Sequence, residues 1–303
     1  MMTLNKNVFG LIHDYYPRDR LISIKIRGKI YYFHYPKNLK RYLEIVMAHK
    51  HAYIDFLVED EIKIIRGCVT YKIKDAFEIF FESNHERVVV YTGSALKEEI
   101  RDLINERRYK MFMDLELTMP NYGTKDFSSE ILQIGCVILD LNDNIVNYYS
   151  NYVKTMDGVS DRTYRFLSLG PEAEEEAIPY DDFYNDYKNL IDIYNPIIYV
   201  WGNTDYKALD ASYIKYSKKN IKGEYRDLSN LIHKYYELSN EISLFKALKI
   251  FKNLDVKQIH HALTDAQATK EVFEGFKKDI NGLTMIDVKE EVLKLKQNNK
   301  VIV

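Results

Sequence analysis

The chain has 303 residues, of which 46% are hydrophobic and 29% are charged, with 12 Gly and 6 Pro. This composition is typical of one or two globular domains and excludes the disordered and fibrous classes. Two cysteines are too few for a disulfide framework or a zinc site, so Cys68 and Cys136 are predicted to be buried thiols in a reducing compartment. No stretch approaches the roughly 18 apolar residues of a membrane span, and we expect a cytoplasmic protein.

The charge is unevenly distributed, although the net charge is only −2. Residues 1–50 carry ten Lys or Arg against three Asp or Glu, a local excess of +7, and the remaining chain is near −9. This asymmetry predicts a basic binding surface near the beginning of the chain and acidic groups, which are candidate metal ligands, further along it.

Residues 8–82 are predicted to form short strands around one helix at 37–48, where Leu39, Tyr42 and Leu43 have helical spacing. The order of three strands, a helix and two strands favours an OB-like β-barrel over residues 1–90, although other small barrels fit nearly as well. The strands are predicted at 8–13, 21–27, 30–35, 52–58 and 69–81.

Strands and helices then alternate, which indicates an α/β domain over residues 110–280. A helical linker at 91–109 precedes it, and a C-terminal helix and tail at 281–303 follow it. The strands are predicted at 111–117, 131–139, 145–153 and 196–201, and the helices at 180–194, 207–218, 226–237, 243–252, 265–278 and 284–297.

An Asp-x-Glu pair lies on the first strand of this domain. Side chains alternate along a strand, so Asp114 and Glu116 lie on one face. Two carboxylates in a core strand are costly unless a cation compensates them, and Mg²⁺ and Mn²⁺ prefer oxygen ligands. Alone, the pair is more often an ordinary solvated strand end, and it needs companions.

Two further acidic positions supply such companions. Asp205 follows the strand 196–201, at the kind of strand end where open α/β sheets place their sites, although it could equally complement a helix dipole. Asp265 is expected in the first turn of a helix whose start a capping box of Thr264 and Gln267 would define. His260 and His261 lie in the loop before that helix.

The three motifs in this order resemble the DEDDh exonucleases, the DnaQ-like or ribonuclease T-type superfamily. The pattern of that superfamily is Asp-x-Glu, then an Asp after a later strand, then His-x-Ala-x-x-Asp-Ala, and the segment from His260 to Ala266 matches the last part completely. The resemblance covers roughly residues 109–280. The matching positions are Asp114, Glu116, Asp205, His260 and Asp265.

The resemblance implies a ribonuclease H-like mixed sheet flanked by helices and a 3′–5′ exonuclease that uses two divalent ions, Mg²⁺ or Mn²⁺. The four carboxylates would bind the ions, which would clamp the attacking and leaving oxygens. His260, with an ordinary pKa of about 6.5, would take the proton of the attacking water. The residues around the first motif, Leu115, Thr118 and Met119, would contact the substrate.

Within the superfamily, Gly202–Tyr206 and Tyr152–Lys154 look most like the 3′-end-trimming exoribonucleases and the KapD-like bacterial exonucleases. Single-stranded RNA is therefore the favoured substrate, and nucleoside 5′-monophosphates are the expected products. The segment 155–179 has Phe166–Gly170 where the family usually has Leu-Thr-Gly-Ile, which puts the family's substrate contacts in doubt. A DNA 3′–5′ exonuclease and an inactive binding module are the alternatives.

The first domain combines basic and aromatic residues, as single-strand binders do. Lys25 and Arg27 are followed by an aromatic strand from which Tyr31 and Phe33 are the candidate stacking residues. The alternation along that strand also means that about half of its aromatic side chains belong in a core. A protein-docking or purely structural barrel fits these residues almost as well.

Overall fold

The computed structural model describes residues 7–40, 42–43, 52–81, 87–89, 93–121, 127–238, 240–256 and 259–298. The chain divides into two compact units, Met1–Ile100 and Arg101–Val303. The finer domain limits drawn from the sequence stay a prediction.

Five strands of the first unit form a closed barrel. Antiparallel pairs join β1 to β2, β2 to β3, β4 to β5 and β1 to β4, and a parallel pair between β3 and β5 closes the circle. The prediction of a small N-terminal β-barrel is therefore confirmed. Its strands are β1 (Asn7–Tyr16), β2 (Leu21–Ile26), β3 (Lys29–His34), β4 (Ala52–Ile65), β5 (Cys68–Phe81) and, on the edge beside β5, β6 (Arg87–Val89).

Two hairpins of the barrel have two-residue turns. Arg27 and Gly28 have φ of 48° and 78°, and Arg66 and Gly67 have φ of 53° and 74°. Two successive residues with positive φ match the right-handed twist of the flanking strands. The second residue of each turn is a glycine, which adopts this conformation without steric cost. Within the helix predicted at 37–48, the structure has a 3₁₀ turn at Lys37–Leu39 and helical residues at 40, 42 and 43, whereas 41 and 44–48 lie outside the described residues.

The second unit is built on a five-stranded mixed sheet with the order β11-β10-β7-β8-β9. β7 pairs antiparallel with β8 and parallel with β10, so it is the strand at which the direction of the sheet changes. This is the ribonuclease H-like arrangement that the resemblance predicted. The strands are β7 (Lys110–Leu117), β8 (Ile131–Leu139), β9 (Ile145–Tyr152), β10 (Ile197–Val200) and β11 (Glu224–Asp227).

Helices cover both faces of this sheet. On one face Met111 and Met113 of β7 pack against Phe183 and Tyr187 of α4. On the other face Phe112 contacts Phe273 of α8, with ring centroids 5.2 Å apart. The helices are α1 (Gly93–Asn105), α2 (Asp161–Leu167), α3 (Glu172–Glu175), α4 (Tyr180–Tyr194), α5 (Thr204–Lys215), α6 (Leu228–Tyr235), α7 (Leu244–Lys252), α8 (Ala262–Ile280) and α9 (Val288–Asn298).

The sequence-based elements differ from the structure at functionally relevant places. The predicted helix 226–237 begins only at Leu228, because Glu224–Asp227 form the edge strand β11. The predicted capping box is wrong: α8 begins at Ala262, and its N-cap is His261, which makes no side-chain capping bond. None of the helices in the described ranges has the length and apolar character to cross a membrane.

Candidate active site

The acidic pair of β7 faces helix α8. Because side chains alternate along a strand, Asp114 and Glu116 share the face of Phe112, whereas Leu115 lies in the core on the opposite face. The strand therefore directs both carboxylates towards one helix, while Leu115 between them anchors the strand in the core on its other face.

Helix α8 brings Asp265 to the same place. Phe273, Thr269 and Asp265 are spaced by four residues, so they lie on one side of the helix, and all three are buried. Phe273 contacts Phe112. The eight helical residues from Phe273 back to Asp265 span about 12 Å, and the four strand residues from Phe112 to Glu116 span about 13 Å. With the helix running antiparallel to β7, this register sets Asp265 level with Glu116.

Two residues of β8 hold the beginning of α8 against the sheet. The Gln133 side chain accepts a hydrogen bond from Ala262 N–H at 3.0 Å through Oε1, and its Nε2 lies 2.9 Å from His261 Nε2. Gly135 pairs with Asp114 across the sheet, and a Cβ atom at Gly135 would lie 2.2 Å from the backbone carbon of Ala262. Only a glycine permits this close approach of helix and strand.

Asp205 reaches the site from the first turn of α5. The pairing of β7 with β10 ends at Phe112 and Tyr199. Beyond that point Leu115 N–H donates to Asp205 Oδ1 at 3.1 Å, so the carboxylate takes the position of a strand partner. The end of β10 thus opens the edge of β7 at the position where the acidic residues begin.

One histidine completes the cluster. Donor atoms of Glu116, His260 and Asp265 all lie within 4.8 Å of one another. His260 has a left-handed backbone with φ of 52°, and its ring lies 4.7 Å from that of Phe166 on α2. The ring of the neighbouring His261 contacts Gln133 instead.

The site is strongly acidic and largely removed from water. Glu116, Asp205 and Asp265 are 9%, 6% and 4% exposed. Burial, followed by the charge of Asp265, raises the pKa of Glu116 to about 7, and burial raises that of Asp205 to about 6. Burial and the charges of the other three carboxylates raise the pKa of Asp114 well above its ordinary range. The carboxylates thus converge in a place where burial and mutual repulsion disfavour their charged forms.

The donor set fits divalent cations. Four carboxylates supply hard oxygen ligands, and the cluster of Glu116, His260 and Asp265 has the spacing that a shared ion requires. The raised pKa values mark a place where a cation would relieve repulsion among the acidic groups. The four acidic residues are therefore the candidate ligands, and His260 lies beside them.

The structure places only one of the three predicted substrate-contact residues near β7 where its side chain is accessible. The side chain of Leu115 lies in the core, so it does not face a ligand. Thr118 is buried, and its hydroxyl accepts a hydrogen bond from Glu130 N–H at 2.8 Å. Met119 is only half-buried, and its backbone N–H donates to Thr163 Oγ1 at 2.8 Å. Of the three residues, Met119 alone keeps an accessible side chain.

A buried glutamate holds the loops that flank the site, and the sequence did not reveal it. Glu130 is 2% exposed and accepts hydrogen bonds from Met156 N–H at 2.8 Å and Asp157 N–H at 3.0 Å. Its carboxylate also contacts Tyr216 Oη and Lys215 Nζ. Although burial raises the pKa of Glu130, these bonds lower it overall. The only signal in the sequence was its place next to the strand 131–139.

In the barrel, alternation separates the predicted binding residues into two groups. Lys25 and Arg27 are exposed. Phe33 is fully buried, with its ring 4.8 Å from that of Phe56, and Tyr31 is partly buried against the same core. Phe33 therefore does not offer its ring to a ligand. Tyr32, which pairs with Ser23 across the strands, points to the outer face instead.

Comparison with known proteins agrees with the fold. The exonuclease family model RNase_T matches residues 111–273, and no curated protein matches the sequence significantly. Among solved structures, the nuclease domain of 3′hExo, a DEDDh family member bound to rAMP, is 15% identical with a TM-score of 0.50, and the match covers 58% of this chain and 93% of that chain. This likeness is one of fold.

Two other solved structures show weaker similarity. For cell-death related nuclease 4 (CRN-4) the identity is 17% and the TM-score 0.48, with 59% of this chain and 65% of that chain covered. For E. coli Exonuclease I in complex with a dT13 oligonucleotide the identity is 16% and the TM-score 0.44, with 56% of this chain and 41% of that chain covered.

Because the family model matches more than half of the sequence, the chain belongs to the RNase_T exonuclease family, within the DEDDh superfamily. Membership supports nuclease activity in general, and DEDDh exonucleases generally use divalent metal ions.

Proposed function

We propose that the chain is a 3′–5′ exonuclease that uses divalent metal ions to hydrolyse single-stranded nucleic acid, with RNA as the favoured substrate. The observation that carries the proposal is the convergence of Glu116, His260 and Asp265, whose donor atoms lie within 4.8 Å of one another. Asp114 and Asp205 contribute two further carboxylates at the same place. No other described group of residues has this composition and spacing.

In this proposal Asp114, Glu116, Asp205 and Asp265 hold two ions, Mg²⁺ or Mn²⁺. Bound there, the ions supply charge stabilisation for the attacking and leaving oxygens of the phosphodiester. The protein contributes the rigid spacing of the ligands, because β7 and α8 are fixed by the contact between Phe112 and Phe273. Leu115 N–H orients the Asp205 carboxylate in the same way.

His260 is the proposed general base. Its imidazole lies beside the acidic cluster, in the loop that precedes α8. From there it can accept a proton from the attacking water. The contact with Phe166 limits how far the ring can turn.

The barrel is the proposed single-strand binding unit. Its closure in the order β1-β2-β3-β5-β4 supports this proposal. In OB folds the face of strands 2 and 3 and the loops between strands 1 and 2 and strands 4 and 5 bind oligonucleotides. Lys25 and Tyr32 lie on these two strands, and Arg27 lies in the turn between them. Arg66, in the turn between β4 and β5, reaches Asp19 at 2.5 Å, so the two loops adjoin.

Digestion of labelled oligonucleotides tests the proposal. Full-length protein is incubated with 5′-labelled single-stranded RNA or DNA of one sequence, with Mg²⁺, Mn²⁺ or a chelator. We expect a metal-dependent ladder that shortens from the 3′ end, nucleoside 5′-monophosphates as products, and faster digestion of RNA.

The other outcomes separate the alternatives. Faster digestion of DNA would favour a DNA exonuclease, and binding without degradation would favour an inactive binding module. Immediate release of the labelled 5′ nucleotide, or degradation that a chelator leaves unchanged, would contradict the proposal.

A further inference from the structure

Asp227 links two loops at the edge of the acidic site. It is the last residue of β11 and the N-cap of α6, where its Oδ1 accepts a hydrogen bond from Asn230 N–H at 3.1 Å. The same oxygen accepts a second hydrogen bond, from Gly202 N–H at 3.0 Å. Gly202 belongs to a different connection, the one between β10 and α5.

That connection is short and leads directly to Asp205. β10 ends at Val200 and α5 begins at Thr204, so three residues lie between them. Gly202 has φ of 89°, and Asn203 gives α5 no side-chain capping bond. Since the helix cap does not fix this turn, the bond from Gly202 N–H to Asp227 is a side-chain contact that holds its backbone.

The position of Asp205 is measurable through Leu115. Asp205 Oδ1 accepts from Leu115 N–H at 3.1 Å, beyond the end of the pairing between β7 and β10. A shift of the turn at Gly202 would move the first turn of α5 and lengthen this bond.

We propose that Asp227 is a positioning residue for Asp205: by holding the turn at Gly202 it sets the place of the Asp205 carboxylate against β7. The inference rests on the proposed function only in so far as Asp205 is a metal ligand. It predicts that the hydrogen-bond acceptor of Asp227 matters, and that its charge does not.

Substitutions in the full-length protein separate these contributions. Asp227→Ala removes the acceptor, and Asp227→Asn keeps an oxygen in the same place without the charge. Asp227→Ser keeps an N-cap for α6, since Ser is a good capping residue, but its shorter side chain does not reach Gly202. Asp287→Ala is the matched control, because Asp287 caps α9 through Glu290 N–H at 2.9 Å, away from the site.

Amide hydrogen exchange at Leu115 and Mn²⁺ binding by calorimetry are the measurements. We expect Asp227→Ala and Asp227→Ser to speed exchange at Leu115 about ten- to hundredfold, as for a lost hydrogen bond to a charged group. They should weaken Mn²⁺ binding by about 10–100-fold, as losses of ligand-orienting groups do. Asp227→Asn and Asp287→Ala should keep both values near those of the wild type.

The exchange readout decides the inference without any nuclease activity. Wild-type protection of Leu115 in folded Asp227→Ser or Asp227→Ala protein would overturn it, and so would loss of protection in Asp287→Ala protein. If the wild type neither binds Mn²⁺ nor digests oligonucleotides, the proposed function fails, and exchange at Leu115 still tests the role of Asp227.

Discussion

Gly135 lies directly opposite Asp114 in the sheet, and this pair sets how closely α8 approaches the acidic strand. A Cβ atom at Gly135 would lie 2.1 Å from Leu263 N and 2.4 Å from Leu263 Cα. These are backbone atoms in the first turn of the helix that carries Asp265, so they cannot move aside as the end of a flexible side chain can.

Gly135→Ala should therefore displace α8, costing about 1–3 kcal/mol of unfolding free energy and most of the nuclease activity. Gly223→Ala is the control, because its nearest neighbour, at 2.7 Å, is the Cδ1 end of the Ile198 side chain. Thermal unfolding and oligonucleotide digestion provide the comparison. Equal activity in the two variants would argue against a close helix–strand contact at the site.

Asp114→Asn should raise the thermal stability of the metal-free protein and lower its activity by at least about a hundredfold. Asn removes a carboxylate whose pKa is raised by burial and by three acidic neighbours, so repulsion decreases while a candidate metal ligand is lost. Asp210→Asn, on the exposed face of α5, should change neither quantity. Unfolding scans with and without Mn²⁺ test this, and a destabilised metal-free Asp114→Asn protein would contradict the electrostatic argument.

The contribution of the acidic site to the stability of the metal-free protein should fall as the pH rises from about 4 to about 7. The folded-state pKa values of Glu116, about 7, and Asp205, about 6, lie above their ordinary values, so the folded protein binds more protons than the unfolded chain in this window. Above it, this contribution to the free energy of unfolding is constant. Unfolding at a series of pH values in a chelator measures the slope.

Mn²⁺ should reverse this trend, because cation and protons compete for the same carboxylates. The gain in Tm on adding Mn²⁺ is expected to be larger at pH 8 than at pH 5. A gain that is independent of pH would show that the ion binds elsewhere.

His260→Ala should lower kcat by about 10²–10⁴-fold, the range for loss of a general base. Mn²⁺ affinity should change less than the rate, since the carboxylates remain. His261→Ala should have the smaller effect on kcat, because its ring contacts Gln133 rather than the acidic cluster. The reverse order of the two histidines in single-turnover rates would overturn the assignment, and a collapse of Mn²⁺ binding in His260→Ala would make His260 a ligand.

Lys25→Ala and Arg27→Ala should each weaken binding of the full-length protein to a single-stranded oligonucleotide. Each should also reduce the slope of log K against log salt by about 0.7, as for one lost phosphate contact to a single strand. Lys289→Ala, an exposed charge on α9, is the control. An unchanged slope in both barrel variants would favour protein docking or a structural role for the barrel.

Several elements followed from local pattern. The strand β8 and the helix Tyr180–Tyr194 appear with the predicted bounds. The unbroken apolar run of β8 matches a strand buried along its whole length, and the apolar spacing of the helix matches its buried side. The spacing of Asp114 and Glu116 determined that they share a face, since strand alternation leaves no other arrangement. For the barrel, the sequence showed the alternation of side chains along the strand. Only the tertiary structure decided that the set with Phe33, and not the set with Tyr32, faces the core.

The sequence by itself determined the family. The forming of the local strands and helices does not require Asp114, Glu116, Asp205, His260 and Asp265 in this order and spacing, so their pattern identifies the family. The convergence of these residues was decided only by the tertiary structure. It depends on the early end of β10, on the contact of Phe112 with Phe273, and on the close approach that Gly135 permits. Asp227 and Glu130 were missed for the same reason, since both act through backbone groups that are distant in the chain and adjacent only once the sheet has formed.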